Sequence, residues 1–202
     1  MGERIRLVLA SASSGRLATL RAAGLAPEVV VSGVDEDGVT AASPAALAED
    51  LAARKCRAVA ARLDVTGPTV VVGCDSVLEM DGAAFGKPGD PAAAVRRWER
   101  MRGRSGILHS GHCVSVLGDG QLRERLAVGS TVVHFAELSD AEVAAYVATS
   151  EPLNVAGAFT IDGLGGPFVR AIEGDPSNVV GISLPLLRLL LQQLGIAWPS
   201  LW

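Results

Sequence analysis

Thr69-Val70-Val71-Val72-Gly73-Cys74-Asp75 is an apolar run of strand length that closes on a carboxylate. Continuous apolar character without polar alternation is the pattern of a strand covered on both faces, as in sheets with helices on either side. Upstream, IRLVLA (5–10) reads as a second buried strand, and SASSGRLATLRAAG follows with Ser13 placed to cap a helix that Gly24 ends. PEVVVS (27–32) reads as another strand, VDEDG (34–38) as a turn rich in carboxylates, and Ser43-Pro44 as the start of a helix running to about Leu63. Downstream, Asp90-Pro91 opens a helix to about Arg102, and HCVSVL and STVVHF flank a GDG turn as an antiparallel pair. Ser139 and Glu142 form a capping-box pattern for a helix to Thr149, and Ser183 opens LPLLRLLLQQLG. Strands alternating with helices, interrupted by a hairpin, predict an α/β protein with a mixed sheet.

With 49% hydrophobic and 20% charged residues, the 202-residue chain has material for one sizeable core, and a single domain over 1–202 is expected. Aromatic residues make up only 4%, too few for a surface that stacks bases. The net charge of -4, with no basic block, would repel a polyanion, so no nucleic-acid partner is expected and any phosphate recognition must be local. Cys56, Cys74 and Cys113 are odd in number, far apart and without a C-x-x-C pair, against a disulfide framework or a zinc site. The apolar run near the N-terminus is shorter than a signal-peptide core with its cleavage site, and nowhere do 18 uncharged apolar residues run together. The chain reads as soluble and cytoplasmic, with no membrane partner.

Some residues sit oddly in this scheme. Leu47, Leu51, Val59 and Leu63 fall at multiples of four residues along one helix, each four-residue step turning about 40° around the axis, and Lys55 occupies the missing place in that apolar stripe. A lysine there needs an anion or a route by which its stem snorkels to water. Asp75 ends a strand where α/β proteins gather ligands, placing it to hold a metal or a water, although an aspartate there also serves as a cap or turn. SASSGR, with its serines, Arg16 and free N–H groups at a helix N-terminus, suits a phosphate, while capping accounts for the serines equally well. His109 and His112 lack a partnering cluster for a metal site, and Gly163, Gly165 and Gly166 in DGLGGP lack the strand-then-helix context of a dinucleotide fingerprint and read as a tight turn. The LPLLRLLLQQLG helix reads as core packing rather than a membrane contact.

Taken in order, LVLASASSGR, VDED, ARKC, GCDS, FGKPGD, TSEPLNVAGAF, and DGLGG followed by GDPSNVVGISLPLL resemble the Maf family over Leu7 to about Leu194. The ordered set carries the resemblance more than any single piece. It implies an elongated mixed central sheet flanked by helices, with a cleft between two lobes, similar to the house-cleaning nucleotide pyrophosphatases and often a homodimer. The implied activity is hydrolysis of a nucleoside triphosphate to the monophosphate and pyrophosphate, with non-standard nucleotides among the implied substrates and Mg²⁺ or Mn²⁺ as cofactor. By position the resemblance matches Ser11 and Arg16 to a phosphate-binding first loop, Lys55 to a lysine of the long helix, Asp75 to the catalytic aspartate and Lys87 to the lysine of the GKP motif. Asp75, with Glu36 from the acidic turn, is the implied metal ligand. Asp75 could equally act as general base, and the sequence leaves both roles open. Such a group of cations answers a chemical need, because attack at the α-phosphorus requires the triphosphate charge to be neutralised.

The chain departs from the family at its specificity positions. The pyrimidine branch carries two arginines in the first loop, a threonine after the aspartate and a glutamine near the glycine-rich turn, where this chain has Gly15, Arg16, Ser76 and Asp162. It also lacks the tryptophan, glutamine and glutamate of the 7-methylguanosine triphosphate branch. A roomier base pocket that favours N–H donors is the expectation, since an ionised carboxylate only accepts. The competing reading is a division-associated protein that binds a nucleotide without turning it over. Asp75 retained with Lys55 and Lys87 favours catalysis.

Overall fold

The computed structural model describes residues 5–36, 38–118 and 121–202. Asp37 of the acidic turn and Asp119-Gly120 of the GDG turn lie outside them, as do the first four residues. The chain begins with β1 (Arg6–Leu9), α1 (Ser14–Ala22), β2 (Glu28–Val29), α2 (Pro44–Ala60), β3 (Thr69–Met80) and β4 (Ala83–Phe85). It continues with α3 (Pro91–Met101), β5 (Ser105–Gly118), β6 (Gln121–Phe135), α4 (Asp140–Ala148), β7 (Val169–Glu173), α5 (Pro176–Val180) and α6 (Leu184–Gln193). The strands join in the order β2-β1-β3-β5-β6-β7, with β4 also paired to β3. The pairs β1–β2 and β1–β3 are parallel and the rest antiparallel, so the sheet is mixed as expected.

The helix starts follow the sequence closely. Ser13, Ser43, Asp90, Ser139 and Ser183 each accept a hydrogen bond from a backbone N–H of the first turn, and Ser139 and Glu142 complete the reciprocal box. Other boundaries differ. β2 covers only two residues of PEVVVS, because the chain leaves the sheet after Val30 bonds to Leu9, and α2 stops at Ala60, short of Leu63. TVVVGCD continues through Ser76 to Met80 in one strand, and the hairpin pair is much longer than its apolar segments suggested.

Two apolar regions occupy opposite ends of the long strands. At one end Leu7, Leu9, Val70 and Val72 pack with Ile182, Leu187 and Leu191 of the last helix and its approach. On the other face of the same strands, Val8, Val71 and Cys113 pack under Ala52, Cys56 and Val59 of α2. At the far end Leu78 and Leu108 pack with Trp98, Phe135 and Tyr146, whose rings meet edge to face at 5.7 Å from the tryptophan. Between these regions lies a cleft of about 910 Å³. Among the described residues no helix is long and apolar enough to cross a membrane.

Candidate active site

α2 rests almost directly on the sheet because two glycines face it. A Cβ at Gly73 would lie 2.5 Å from the Ala52 carbonyl oxygen, and one at Gly111 would lie 2.1 Å from that of Ala48. Gly111 is also the β5 partner of Asp75, so no side chain from β5 crowds the carboxylate on that flank. The close seating brings Lys55 to Asp75: Nζ donates to Oδ1 at 2.5 Å and lies 2.7 Å from Glu36 Oε1, contributed by the loop after β2. The Lys55 and Asp75 side chains are only 9% and 12% exposed against 42% for Glu36, so the pair is buried and Glu36 closes its solvent side. Lys55 therefore reaches anions of its own chain; snorkelling to water is not its solution.

Arg16, buried on the first turns of α1, is held differently. Its Nε donates to the Gly181 carbonyl at 2.9 Å, one terminal nitrogen to Ser11 Oγ at 2.9 Å and the other to Ser76 Oγ at 3.2 Å. All these partners are neutral, and among the described residues no carboxylate pairs with it. A guanidinium has further N–H groups beyond these, and they remain to serve a ligand. Ser110 Oγ donates to the Asn178 carbonyl at 2.9 Å, so in its 2.8 Å contact with Ser76 the donor is Ser76. The Ser76 oxygen is thereby left to accept from Arg16. Gly181, at φ +117°, supplies its carbonyl from a backbone conformation that a side chain would strain, and a Cβ there would lie 3.1 Å from Arg16 Nε.

All the residues matched by position to the family's catalytic, binding and specificity positions border this one cleft. They are not one contact cluster. Lys87 is exposed on the rim, on the loop between β4 and α3, and makes no ion pair with the Lys55 group. That loop is anchored from behind, since the Gly86 carbonyl accepts from Gly157 N at 3.1 Å and from Arg97, whose guanidinium also lies over Phe85 at 5.1 Å. Gly15 and Asp162 meet on the other side, where a Cβ on Gly15 would be 3.9 Å from Asp162 Oδ2.

Glu151 was not singled out, yet it organises the Asp162 side. Its carboxylate accepts from Thr160 Oγ1 at 2.6 Å, Tyr146 Oη at 2.9 Å, Leu164 N at 2.9 Å and Gly165 N at 3.0 Å. Burial pushes its pKa up, but those donors outweigh burial and hold it below the usual carboxylate range. The sequence signal was an acid just before a proline, TSEPL, followed by a glycine-rich turn whose N–H groups need acceptors. The histidines are structural. His109 bridges Ser130 and Glu79, and His112 accepts from Ser183 N at 2.8 Å while its other ring nitrogen donates to the Ser110 carbonyl.

Fold and site together define an α/β protein with a mixed-charge cleft beyond the carboxyl end of β1 and beside the middle of β3, suited to a polar, anionic ligand. A family model described as Maf-like protein matches residues 6–194. The chain belongs to that family. It is similar to a protein of Salinispora tropica named nucleoside triphosphate pyrophosphatase, 60% identical over 98% of this chain and 88% of that one. Relatives with the same name from Streptomyces coelicolor (57% identical, 98% and 95% covered) and Cutibacterium acnes (50%, 96% and 93%) agree. Among solved structures, the Staphylococcus aureus Ham1 protein is a distant likeness, 17% identical with a TM-score of 0.43 over 65% of this chain and 72% of that one.

Proposed function

We propose that this protein is a nucleoside triphosphate pyrophosphatase that releases the nucleoside monophosphate and pyrophosphate with the help of Mg²⁺ or Mn²⁺. The observation that carries the reading is Arg16, a buried guanidinium with no carboxylate partner among the described residues, in the cleft that also holds the Lys55–Asp75 pair. Burying an uncompensated cation is costly unless an anion is to meet it. The names of the full-length relatives supply the class of that anion.

The donor set fits a divalent ion. Asp75 and Glu36 already hold one cation between them, the Lys55 ammonium. Magnesium commonly takes one or two carboxylates and leaves its other positions to water and substrate phosphate, so a fuller protein cage is not needed. Among the described residues no group of three or more His, Cys, Asp or Glu forms such a cage. Bound by Asp75 and Glu36, the ion supplies positive charge to the phosphate oxygens.

The chain's own groups do the rest. Ser11 and Arg16 hold the phosphates at the first loop, and Lys55 and Lys87 add positive charge along the triphosphate. Asp75 orients a water and takes its proton as the water oxygen bonds to the α-phosphorus. The bond from that phosphorus to the bridging oxygen breaks, and pyrophosphate leaves toward Lys87. Gly15, Ser76 and Asp162 shape the base side. The chain acts as one domain, with non-standard nucleotides among its substrates, as a homodimer in the cytoplasm. The absence of paired cysteines suits that compartment.

The test is pyrophosphate release from a panel of nucleoside triphosphates with Mg²⁺ or Mn²⁺, for the wild type and Asp75→Asn. Release by the wild type and a loss of at least about 100-fold in the variant, with an unchanged far-ultraviolet spectrum, are expected for a proton acceptor. No release from any nucleotide would favour a binding protein.

A further inference from the structure

Lys55 stands in the place where the divalent ion would go. Its ammonium contacts Asp75 at 2.5 Å and Glu36 at 2.7 Å, and these are the carboxylates offered to the metal. A carboxylate oxygen engaged this closely by an ammonium has little negative charge left for a second cation. Two cations crowded between the same carboxylates would also repel each other strongly in a site shielded from water. We propose that Lys55 is an internal plug: the nucleotide-free protein has no resident metal, and the ion enters only as a chelate of the triphosphate. The arriving phosphates provide the anion to which the ammonium turns, and Asp75 and Glu36 are freed for the metal in the same event.

The position of the lysine favours this exchange. Lys55 is carried by α2, which the glycine contacts at Gly73 and Gly111 hold rigidly against the sheet, so its stem is anchored while its tip has several rotatable bonds. Glu36 comes from a loop and is 42% exposed, so it can swing aside first and open the path by which the ammonium leaves Asp75. The cleft is wide enough, at about 910 Å³, for the ammonium to move toward a ligand inside it.

The inference rests on the pyrophosphatase reading only for the identity of the polyphosphate; the competition between Lys55 and the ion needs no nucleotide. The experiment follows Mn²⁺ by electron paramagnetic resonance, with wild type and Lys55→Met, each with and without a non-hydrolysable α,β-methylene nucleoside triphosphate. Without nucleotide, the wild type should leave Mn²⁺ free in solution, whereas Lys55→Met, with its two carboxylates released, should bind it at least about tenfold more tightly, equivalent to about 1.4 kcal/mol. With the analogue, wild type should give the spectrum of a protein-bound ion. Nucleotide-free wild type binding Mn²⁺ as tightly as Lys55→Met would overturn the proposal, as would a wild type that binds Mn²⁺ equally well with and without the analogue. Should Lys55→Met fail to fold, Lys55→Gln, which keeps a neutral hydrogen-bond donor beside the carboxylates, carries the same comparison. Absence of pyrophosphate release from every nucleotide would sink the pyrophosphatase reading and leave the nucleotide-free comparison to decide this one.

Discussion

Gly111 stands opposite Asp75 in the β3–β5 ladder, and a methyl group on it would meet the Ala48 carbonyl oxygen of α2 at 2.1 Å. Backbone cannot yield as a side-chain tip can, so Gly111→Ala must lift α2 and carry Lys55 away from Asp75. Overpacking of this kind costs about 1–3 kcal/mol. Urea unfolding should show that loss, and turnover should fall with it. A variant as stable and as active as wild type would mean that α2 is not wedged on these glycines.

Arg16→Lys keeps the charge and loses the planar fork. Lysine cannot reach the Gly181 carbonyl, Ser11 and Ser76 together, and its point charge would no longer be aimed. We expect kcat/KM to drop by about 100-fold, a transition-state loss near 3 kcal/mol. Full activity in the lysine variant would reduce Arg16 to a simple counter-charge.

Glu151→Gln replaces a carboxylate that accepts four hydrogen bonds by an amide whose NH₂ confronts donors. Turning an amide NH₂ toward these part-buried donors costs about 1 kcal/mol. The loss should appear in the melting temperature, accompanied by altered nucleotide preference, because the same turn carries Asp162. Loss of stability with an unchanged preference would separate the two.

His112 gives the fold a defined acid sensitivity. Burial, opposed by the Ser110 carbonyl and assisted by the Arg16 charge, brings its pKa down to about 4 from 6.5. Because the folded value is below the unfolded one, the unfolded chain binds the extra proton between these pH values. The contribution of about 3 kcal/mol is thus complete above pH 6.5 and is lost progressively as pH falls toward 4. Chemical denaturation at several pH values should show that slope, flattened in His112→Gln. Equal slopes in the two proteins would assign it to other groups.

Asp162→Gln tests the base side. An ionised Asp162 accepts only, and opposite a carbonyl edge it is penalised, so wild type should take nucleotides with exocyclic amino groups in preference. The glutamine variant should shift relative kcat/KM toward UTP and dTTP. Wild type already selective for those two nucleotides would contradict this role.

Much of the fold was legible because capping is local. Ser43-Pro44, Asp90-Pro91 and the Ser139–Glu142 pair specify helix starts through bonds made within one turn. β7 and α5 were not read, since VRAIE shows no clean alternation and a five-residue helix has no measurable period. In the site, Lys55 could be seen as anomalous from its place in an apolar stripe, but the identity of its partners depended on contacts 19 and 20 residues away. Arg16 to Gly181 spans 165 residues, and Ser110 with Asn178 left no local signal. Such groups are joined by the crossing of strands, which one-dimensional spacing does not encode.

The strands β3, β5 and β6 run 12, 14 and 15 residues without interruption from one apolar region to the other, passing beneath the cleft. Proteins that shut around ligands like a shell bend at a few loop residues, and no such crossing exists under this cleft among the described residues. Bringing the two ends together would require several hydrogen-bonded strands to flex in concert. The separation of the two ends is accordingly set when the chain folds, and the loops that carry Val31–Val34 and Gly86-Lys87 border a cleft whose floor is continuous sheet.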